Sequence, residues 1–328
     1  MKIKGLTCFS VFGVAFFGLC LLSVRYGSVF IGSESFFSAL FLKEGYESLS
    51  IIIYSLRMPR ILAGIVAGAG LGVSGVLLQC VTGNKMASPG LIGVNSGAGF
   101  AVILALTLGI PYFLLPIVSF SGAFLATLAI IAIASRMGMT KNTVVLSGIA
   151  FSAILSAGIS LLSLLDSDVL VSYNAFSVGS LAGAEVKKLI LPALSVLSAV
   201  ALSALIASKL NILTLGTSIA SSLGVNVKFM RIFSMLLSSL AAGAAVSAVG
   251  LLGFVGLMSP HIARALIGPD ARRLIPFTAL VGADLVLAAD LLGRVIFAPG
   301  EMPVGVLMAL LGAPFFLAIL LKGDRKDA

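Results

Sequence analysis

Residues 61–81 read ILAGIVAGAGLGVSGVLLQCV, a run without a charged residue, and nine further apolar stretches occur along this chain of 328 residues. A helix needs about 20 apolar residues to cross the hydrocarbon core of a bilayer. Only 10% of the residues are charged, whereas soluble domains average about 25%. Charge this sparse cannot cover a water-facing surface, so the chain is predicted to lie in a membrane.

The ten stretches are predicted to be helices, because they are long, apolar on all sides and lack the alternation of membrane strands. The expected fold is an all-α polytopic membrane protein with about ten transmembrane helices. The spans are placed near 6–24, 61–81, 91–109, 112–135, 143–165, 188–208, 229–249, 250–267, 274–297 and 303–321. The longest hydrophilic connections, 25–60, 166–187 and 209–228, are too short to bury cores of their own. Residues 1–328 are therefore expected to form a single transmembrane domain.

Orientation is predicted from Lys and Arg, which concentrate on the cytoplasmic side of membrane proteins. With a cytoplasmic N-terminus, 14 of the 21 lie inside, and those outside are Arg25, Lys43, Arg57, Arg60, Lys187, Lys188 and Arg294. The acids predicted outside are Glu34, Glu44, Glu47, Asp166, Asp168, Glu185 and Glu301. Both termini are thus expected in the cytoplasm of a bacterial or archaeal inner membrane. Topology also explains the net charge of +9 without nucleic acid binding.

Residues 1–24 resemble a signal peptide, with Lys2 and Lys4 before an apolar run. No A-x-A-like site is evident and more spans follow, which favours a retained first helix.

The three cysteines, Cys8, Cys20 and Cys80, lack metal-ligand spacing and are expected to act as small buried hydrophobic residues, so no metal site is predicted.

Gly64, Gly68 and Gly72 form two overlapping GxxxG pairs in the second span. In lipid, small residues let helix backbones approach closely and so supply contact energy. The pairs fit ordinary helix packing, and they also fit a tight helix crossing beside a transport pathway.

Few groups in the chain are suited to catalysis or proton transfer. No Lys follows a Gly, so the P-loop G-x-x-x-x-G-K-[ST] is absent. Asp284 and Asp290 lie deep in a predicted span, where carboxylates are functional candidates. Asp290 and Arg294 have the four-residue spacing of a helical ion pair, which favours a structural role. A proton relay through the two acids is the alternative.

The only histidine, His261, has no evident second metal ligand. It is therefore expected to be a hydrogen-bonded structural residue of its helix. Pro260 lacks an N–H and is expected to kink or break the same helix.

Four segments in order resemble the FecCD-type permeases of ABC importers for iron-siderophores, haem and cobalamin. They are Arg57-Met58-Pro59-Arg60, residues 84–98 (NKMASPGLIGVNSGA), residues 215–225 (LGTSIASSLGV), and residues 253–264 (GFVGLMSPHIAR) with Gly312-Ala313-Pro314. The likeness runs from about residue 55 to the C-terminus. It implies a homodimer or close heterodimer, an extracytoplasmic substrate-binding protein, separate ATPase subunits and no cofactor. The missing P-loop agrees, because ATP hydrolysis is then expected on another subunit and this chain is not expected to be an enzyme.

The resemblance assigns docking of the binding protein to Arg57, Arg60 and Arg294. The donor fork of arginine suits carboxylates, and the alternative is that these arginines only snorkel to the membrane interface. The resemblance also implies a cytoplasmic coupling segment, 209–228, that contacts the ATPase, and a plain surface loop is the alternative. The residues of this coupling segment that the resemblance assigns to ATPase contact are Leu215, Gly216, Ala220, Leu223 and Gly224. Many relatives carry an acid at the position of Thr217 and a basic residue near Ser221.

The resemblance implies that the loop of Asn84 and Met86 helps to close the cytoplasmic end of the family's pathway, although relatives usually carry Pro and Leu at the positions of Lys85 and Met86. Lys85 would suit an anionic chelate there, or is one more cytoplasmic positive charge. Gly179-Ser180-Leu181 is a core common among siderophore members, which favours an iron chelate, siderophore or haem, over cobalamin.

The expected mechanism is alternating access driven by partner ATPases. Two other classes stay open. One is a proton-coupled secondary transporter that uses Asp284 and Asp290, and the other is an intramembrane enzyme around His261.

Overall fold

The computed structural model describes residues 2–27, 31–43 and 45–323, which form α-helices and contain no strand. Glu44, Arg325 and Lys326, which entered the charge prediction, lie outside these ranges. The α-helices are α1 Lys2–Arg25, α2 Ser33–Leu40, α3 Glu47–Ile51, α4 Met58–Thr82, α5 Val94–Thr107, α6 Leu115–Arg136, α7 Lys141–Leu165, α8 Ser167–Val178, α9 Val186–Leu205, α10 Ala207–Thr214, α11 Thr217–Ser222, α12 Val227–Val249, α13 Val255–Ile267, α14 Ala271–Ile296 and α15 Val304–Gly323.

Each predicted span coincides with one apolar helix. Seven helical segments in the described ranges are long and apolar enough to cross a membrane, and the shorter apolar helical stretches are α5, α13 and Val304–Ile319 of α15. The all-helical membrane fold is therefore confirmed. The hydrophilic connections also contain helices that the hydropathy pattern did not predict, namely α2, α3, α8, α10 and α11.

The short helices α5 and α13 begin later than predicted, because glycines interrupt the backbone. Gly93 has φ 73° immediately before α5, and Gly250 has φ 78° at the end of α12. Left-handed backbone of this kind favours glycine and ends helices. Residues 250–254 are thus a non-helical link between spans seven and eight. Of the two outcomes predicted for Pro260, a kink or a break, the break is wrong, since α13 continues through this residue, and the kink stays a prediction.

The central helix of the bundle is α4, which packs against α9, α12, α13 and α14. Gly68 meets the backbone of Gly282 in α14, and Gly75 meets that of Gly256 in α13. On another side of α4, the Ser74 and Ser238 hydroxyls are 2.6 Å apart. Gly68 of the GxxxG pairs, together with Gly75, therefore serves close helix packing around α4.

Gly68→Ala is expected to destabilise the protein, because the new Cβ would overlap the Gly282 carbonyl. Overpacking costs about 1–3 kcal/mol, and here the obstacle is backbone, which cannot rotate away. Thermal unfolding in detergent measures the effect. Gly13→Ala in α1 is the matched control, since a Cβ there meets nothing within 4 Å. Equal unfolding temperatures for the two variants would contradict the packing argument.

Candidate functional site

Three arginines from separate parts of the sequence come together at the predicted outer end of the bundle. Arg57 ends a π-helical turn, Ile52–Arg57, that leads into α4. Arg60 follows in the first turn of α4, and Arg294 lies near the end of α14. All three are largely withdrawn from solvent, because Arg57 is 6% exposed, Arg294 is 3% exposed and the Arg60 side chain is 11% exposed.

Asp290 joins two of these arginines. Its Oδ1 is 2.8 Å from Nη2 of Arg60, and its Oδ2 is 3.0 Å from Nε of Arg294. The ion pair with Arg294 expected from the helical spacing is therefore present. Asp290 is 2% exposed, and a carboxylate buried to this degree needs such partners.

The same arginines also hold the end of α1. Nη1 of Arg57 donates to the Val24 carbonyl at 2.6 Å, and Nη1 of Arg294 donates to the Tyr26 carbonyl at 3.1 Å. The last carbonyls of a helix have no partner within the helix, so the guanidinium groups supply one. The arginines therefore connect α1, α4 and α14.

A cavity of about 290 Å³ lies beside this network, and its charged lining is Arg57, Arg60, Arg294 and Glu301. Oε2 of Glu301 is 2.6 Å from Nη1 of Arg60. Three guanidinium groups face two carboxylates, those of Asp290 and Glu301, which leaves one positive charge in formal terms. A cavity lined in this way favours an anionic group, and arginine binds carboxylates with particular geometric fit.

At the opposite, predicted inner end, α11 forms a short helix between two glycines. Gly216 has φ 113° and Gly224 has φ 77°, backbone conformations that favour glycine. Ala220 is buried against the bundle. Three apolar side chains in and beside α11 are exposed, with fractions of 59% for Leu215, 50% for Ile219 and 58% for Leu223. Such a cluster at a membrane protein's aqueous end favours contact with a partner.

Polar contacts hold this segment to the bundle. Nη2 of Arg231, in α12, donates to Oγ1 of Thr217 at 3.1 Å. In α10, the Asn211 side chain donates to Asp270 at 2.7 Å and accepts from the Ala271 N–H at 2.8 Å. The Asn211 amide and the Arg272 N–H both lower the pKa of Asp270 below its ordinary value. Residues 209–228 are thus bonded to the start of α14, whose far end carries Asp290 and Arg294.

A model of the FecCD transport family matches residues 15–322. The chain belongs to the FecCD transport family. Its similarity to characterised permeases extends over nearly the whole sequence. It is 35% identical over 313 residues to the Fe(3+)-citrate import system permease protein YfmE of Bacillus subtilis, covering 94% of this chain and 93% of YfmE. It is 38% identical over 319 residues to the hemin transport system permease protein HmuU of Yersinia pestis, covering 94% and 95% respectively.

Solved structures share the fold of this chain. A metal-chelate type ABC transporter in an inward-facing conformation superposes with a TM-score of 0.86, at 29% identity, over 96% of this chain and 99% of that chain. PsaBC of Streptococcus pneumoniae shares the fold at a TM-score of 0.59 and 19% identity, over 80% of this chain and 89% of that chain. The FecCD chain is thus a transport permease subunit of the ABC importer type.

The two gate candidates of this FecCD chain lie in a compact turn after α4. Oδ1 of Asn84 accepts from the Met86 N–H at 2.8 Å, and the Asn84 N–H donates to Oγ1 of Thr82 at 3.2 Å. The Asn84 side chain is therefore used to shape the turn. The Met86 side chain is 41% exposed and remains available for contacts.

The other singled-out residues stand apart from these sites. The ring of His261 packs edge-on against Phe315, with centroids 6.1 Å apart. Within the described ranges, no three His, Cys, Asp or Glu side chains are grouped to hold a metal ion. Asp284 is 6% exposed, and both of its carboxyl oxygens are buried without a hydrogen-bond partner.

Two residues of the sites were missed by the sequence reasoning. Glu301 counted only as an outer acid, because 241 positions separate it from Arg60. Ile219 lies between Leu215 and Leu223 at four-residue spacing, which is a helical signal. That spacing could have identified it in advance.

Proposed function

We propose that this FecCD permease moves an iron chelate inward, received from an extracytoplasmic binding protein and driven by ATPase subunits on the cytoplasmic side. One observation carries the proposal. A cavity lined by arginines lies at one end of α14, and exposed apolar side chains in and beside α11 lie at the other, in a chain without a P-loop. The similar permeases named for Fe(3+)-citrate and hemin support iron in chelated form as cargo.

Docking is assigned to the arginine cavity. Arg57, Arg60 and Arg294 would receive an acidic side chain of the binding protein. The formal surplus of one positive charge supports an incoming carboxylate. Because electrostatic complementarity acts on association rate and specificity more than on raw affinity, these contacts would govern orientation and association rate more than affinity.

Coupling is assigned to Leu215, Gly216, Ala220, Leu223 and Gly224, with Ile219 added from the structure. The exposed apolar side chains in and beside α11 would fit a cleft of the ATPase, while Ala220 permits α11 to lie close on the bundle. ATP-driven closure of the ATPase pair would then move the segment. The bonds of Asn211 to Asp270 and Ala271 support transmission of that movement into α14.

The cytoplasmic gate is assigned to the turn of Asn84 and Met86. Lys85 is exposed in this turn, and Arg264 donates to Gln79 nearby at 2.8 Å. These positive charges support an anionic cargo. A second copy of this chain would complete the pathway, with both termini of each copy in the cytoplasm.

Reconstitution into lipid vesicles tests the whole proposal. The permease is inserted alone, or with the ATPase and the solute-binding protein encoded nearest to its gene, and radiolabelled ferric citrate and haemin are offered. Accumulation is expected only with both companions and internal ATP. Accumulation by the permease alone would overturn the proposal.

Asp284→Asn is expected to leave ATP-driven uptake within about twofold of the unchanged protein. The carboxyl has no hydrogen-bond partner, and the proposed mechanism moves no proton through it. A proton-coupled transporter predicts instead that the variant is inactive and that an uncoupler abolishes uptake. Vesicle uptake with and without an uncoupler separates the two outcomes.

A further inference from the structure

We propose that Glu301 is an internal competitor at the arginine cavity, where it pairs with Arg60 until an acidic side chain of the binding protein displaces it. The inference rests on the proposed function, since it presupposes docking at the arginine cavity. It assigns to Glu301 the role of lowering docking affinity.

The two carboxylates that bind Arg60 differ in how tightly they are held. Asp290 has a side chain 3% exposed and pairs with both Arg60 and Arg294. Glu301 has a side chain 34% exposed, and its ion pair among the described residues is with Arg60. Asp290 is therefore a fixed part of the network, whereas Glu301 is the carboxylate that an incoming anion reaches first.

The geometry allows Glu301 to leave without disturbing the backbone. The next residue is fixed, because the Met302 N–H donates to the Gly293 carbonyl at 3.1 Å. A rotamer change of the glutamate side chain is then sufficient to uncover Nη1 of Arg60. Asp290 keeps the opposite edge of the guanidinium in place at 2.8–2.9 Å.

Competition has a defined consequence for binding. A partner carboxylate that takes Nη1 of Arg60 must first break the existing 2.6 Å pair with Glu301. The net gain is the difference between two similar ion pairs. Removing the internal carboxylate therefore strengthens docking, by about three- to fivefold for a partly exposed pair.

The experiment measures the dissociation constant of the solute-binding protein that supports uptake in the vesicles described above. The permease is held in lipid nanodiscs and carries Glu301→Gln, Glu301→Asp or Glu185→Gln. Glu185→Gln is the matched control, because it removes one acid from the same predicted end, where Glu185 pairs with Lys188 instead. Glu301→Asp keeps the charge but shortens the reach to Arg60.

Competition predicts that Glu301→Gln binds about three- to fivefold more tightly, that Glu301→Asp lies between it and the unchanged protein, and that Glu185→Gln binds like the unchanged protein. Equal tightening by Glu185→Gln would assign the effect to overall charge and overturn the inference. Weaker binding by Glu301→Gln would also overturn the inference, since Glu301 would then be positioning Arg60 for docking. If no binding protein supports uptake, the proposed function fails first.

Discussion

Ile219→Glu is expected to abolish ATP-driven uptake while the permease still folds and inserts. Ile219 is 50% exposed on α11, so the charge meets water when the ATPase is absent. In the proposed complex, the same carboxylate would be buried without a partner. Loss of a central interface residue costs about 2 kcal/mol or more, which corresponds to at least about 30-fold weaker ATPase binding.

Ile219→Leu is the matched control, because it keeps the apolar contact and the helix. Pull-down of the ATPase and vesicle uptake should both be retained in that variant. Normal uptake by Ile219→Glu would remove α11 from the ATPase interface. Gly224→Trp is a poorer test, because Gly224 has φ 77° and any side chain there strains the backbone. A coupling defect could not then be separated from a folding defect.

The fold could be predicted from the sequence because, in a lipid bilayer, the length of an apolar run decides where a spanning helix forms. A long apolar run can satisfy its backbone in a bilayer by forming a helix, and each of the ten runs did so. Boundaries failed where conformation depends on tertiary contacts. The non-helical link at residues 250–254 is an example, since the Leu251 N–H donates to the Phe176 carbonyl in α8 at 3.2 Å. The hydropathy pattern gives no information about that hydrogen bond.

For the candidate sites too, contacts within one helix could be predicted, whereas contacts between distant segments could not. The pair of Asp290 with Arg294 could be predicted, because four residues on one helix fix the distance between the side chains. The pair of Asp290 with Arg60 could not, since 230 positions separate them. The family resemblance identified the three arginines but implied that their side chains face outward. Their burial and shared carboxylates come from the way α1, α4 and α14 pack.

Asp290→Asn is expected to be the most destabilising single change in the arginine network. It would leave the guanidinium groups of Arg60 and Arg294 close together and without their shared carboxylate. Breaking a buried ion pair by removing one partner costs about 3–5 kcal/mol. The free energy of unfolding, measured by denaturant titration in mixed micelles, should fall by an amount in this range.

Asp284→Asn provides a close control for that measurement. Both aspartates lie in α14, with exposed fractions of 6% for Asp284 and 2% for Asp290, and the substitution is identical. Because neither oxygen of Asp284 has a hydrogen-bond partner, its replacement should cost far less. Equal losses for the two variants would show that burial of the carboxyl, and not its pairing with arginine, determines the effect.

A second substitution tests whether the loss comes from the two cations that lose their shared carboxylate. Asp290→Asn with Arg294→Gln removes the Arg294 guanidinium together with that carboxylate. Coupled residues give double-variant energies that differ from the sum of the single ones by about 0.5–3 kcal/mol. The double variant should therefore be more stable than the sum of the two single losses predicts. A strictly additive result would mean that Asp290 and Arg294 act independently, and the loss in Asp290→Asn would then be assigned to the pair with Arg60, which joins α14 to α4.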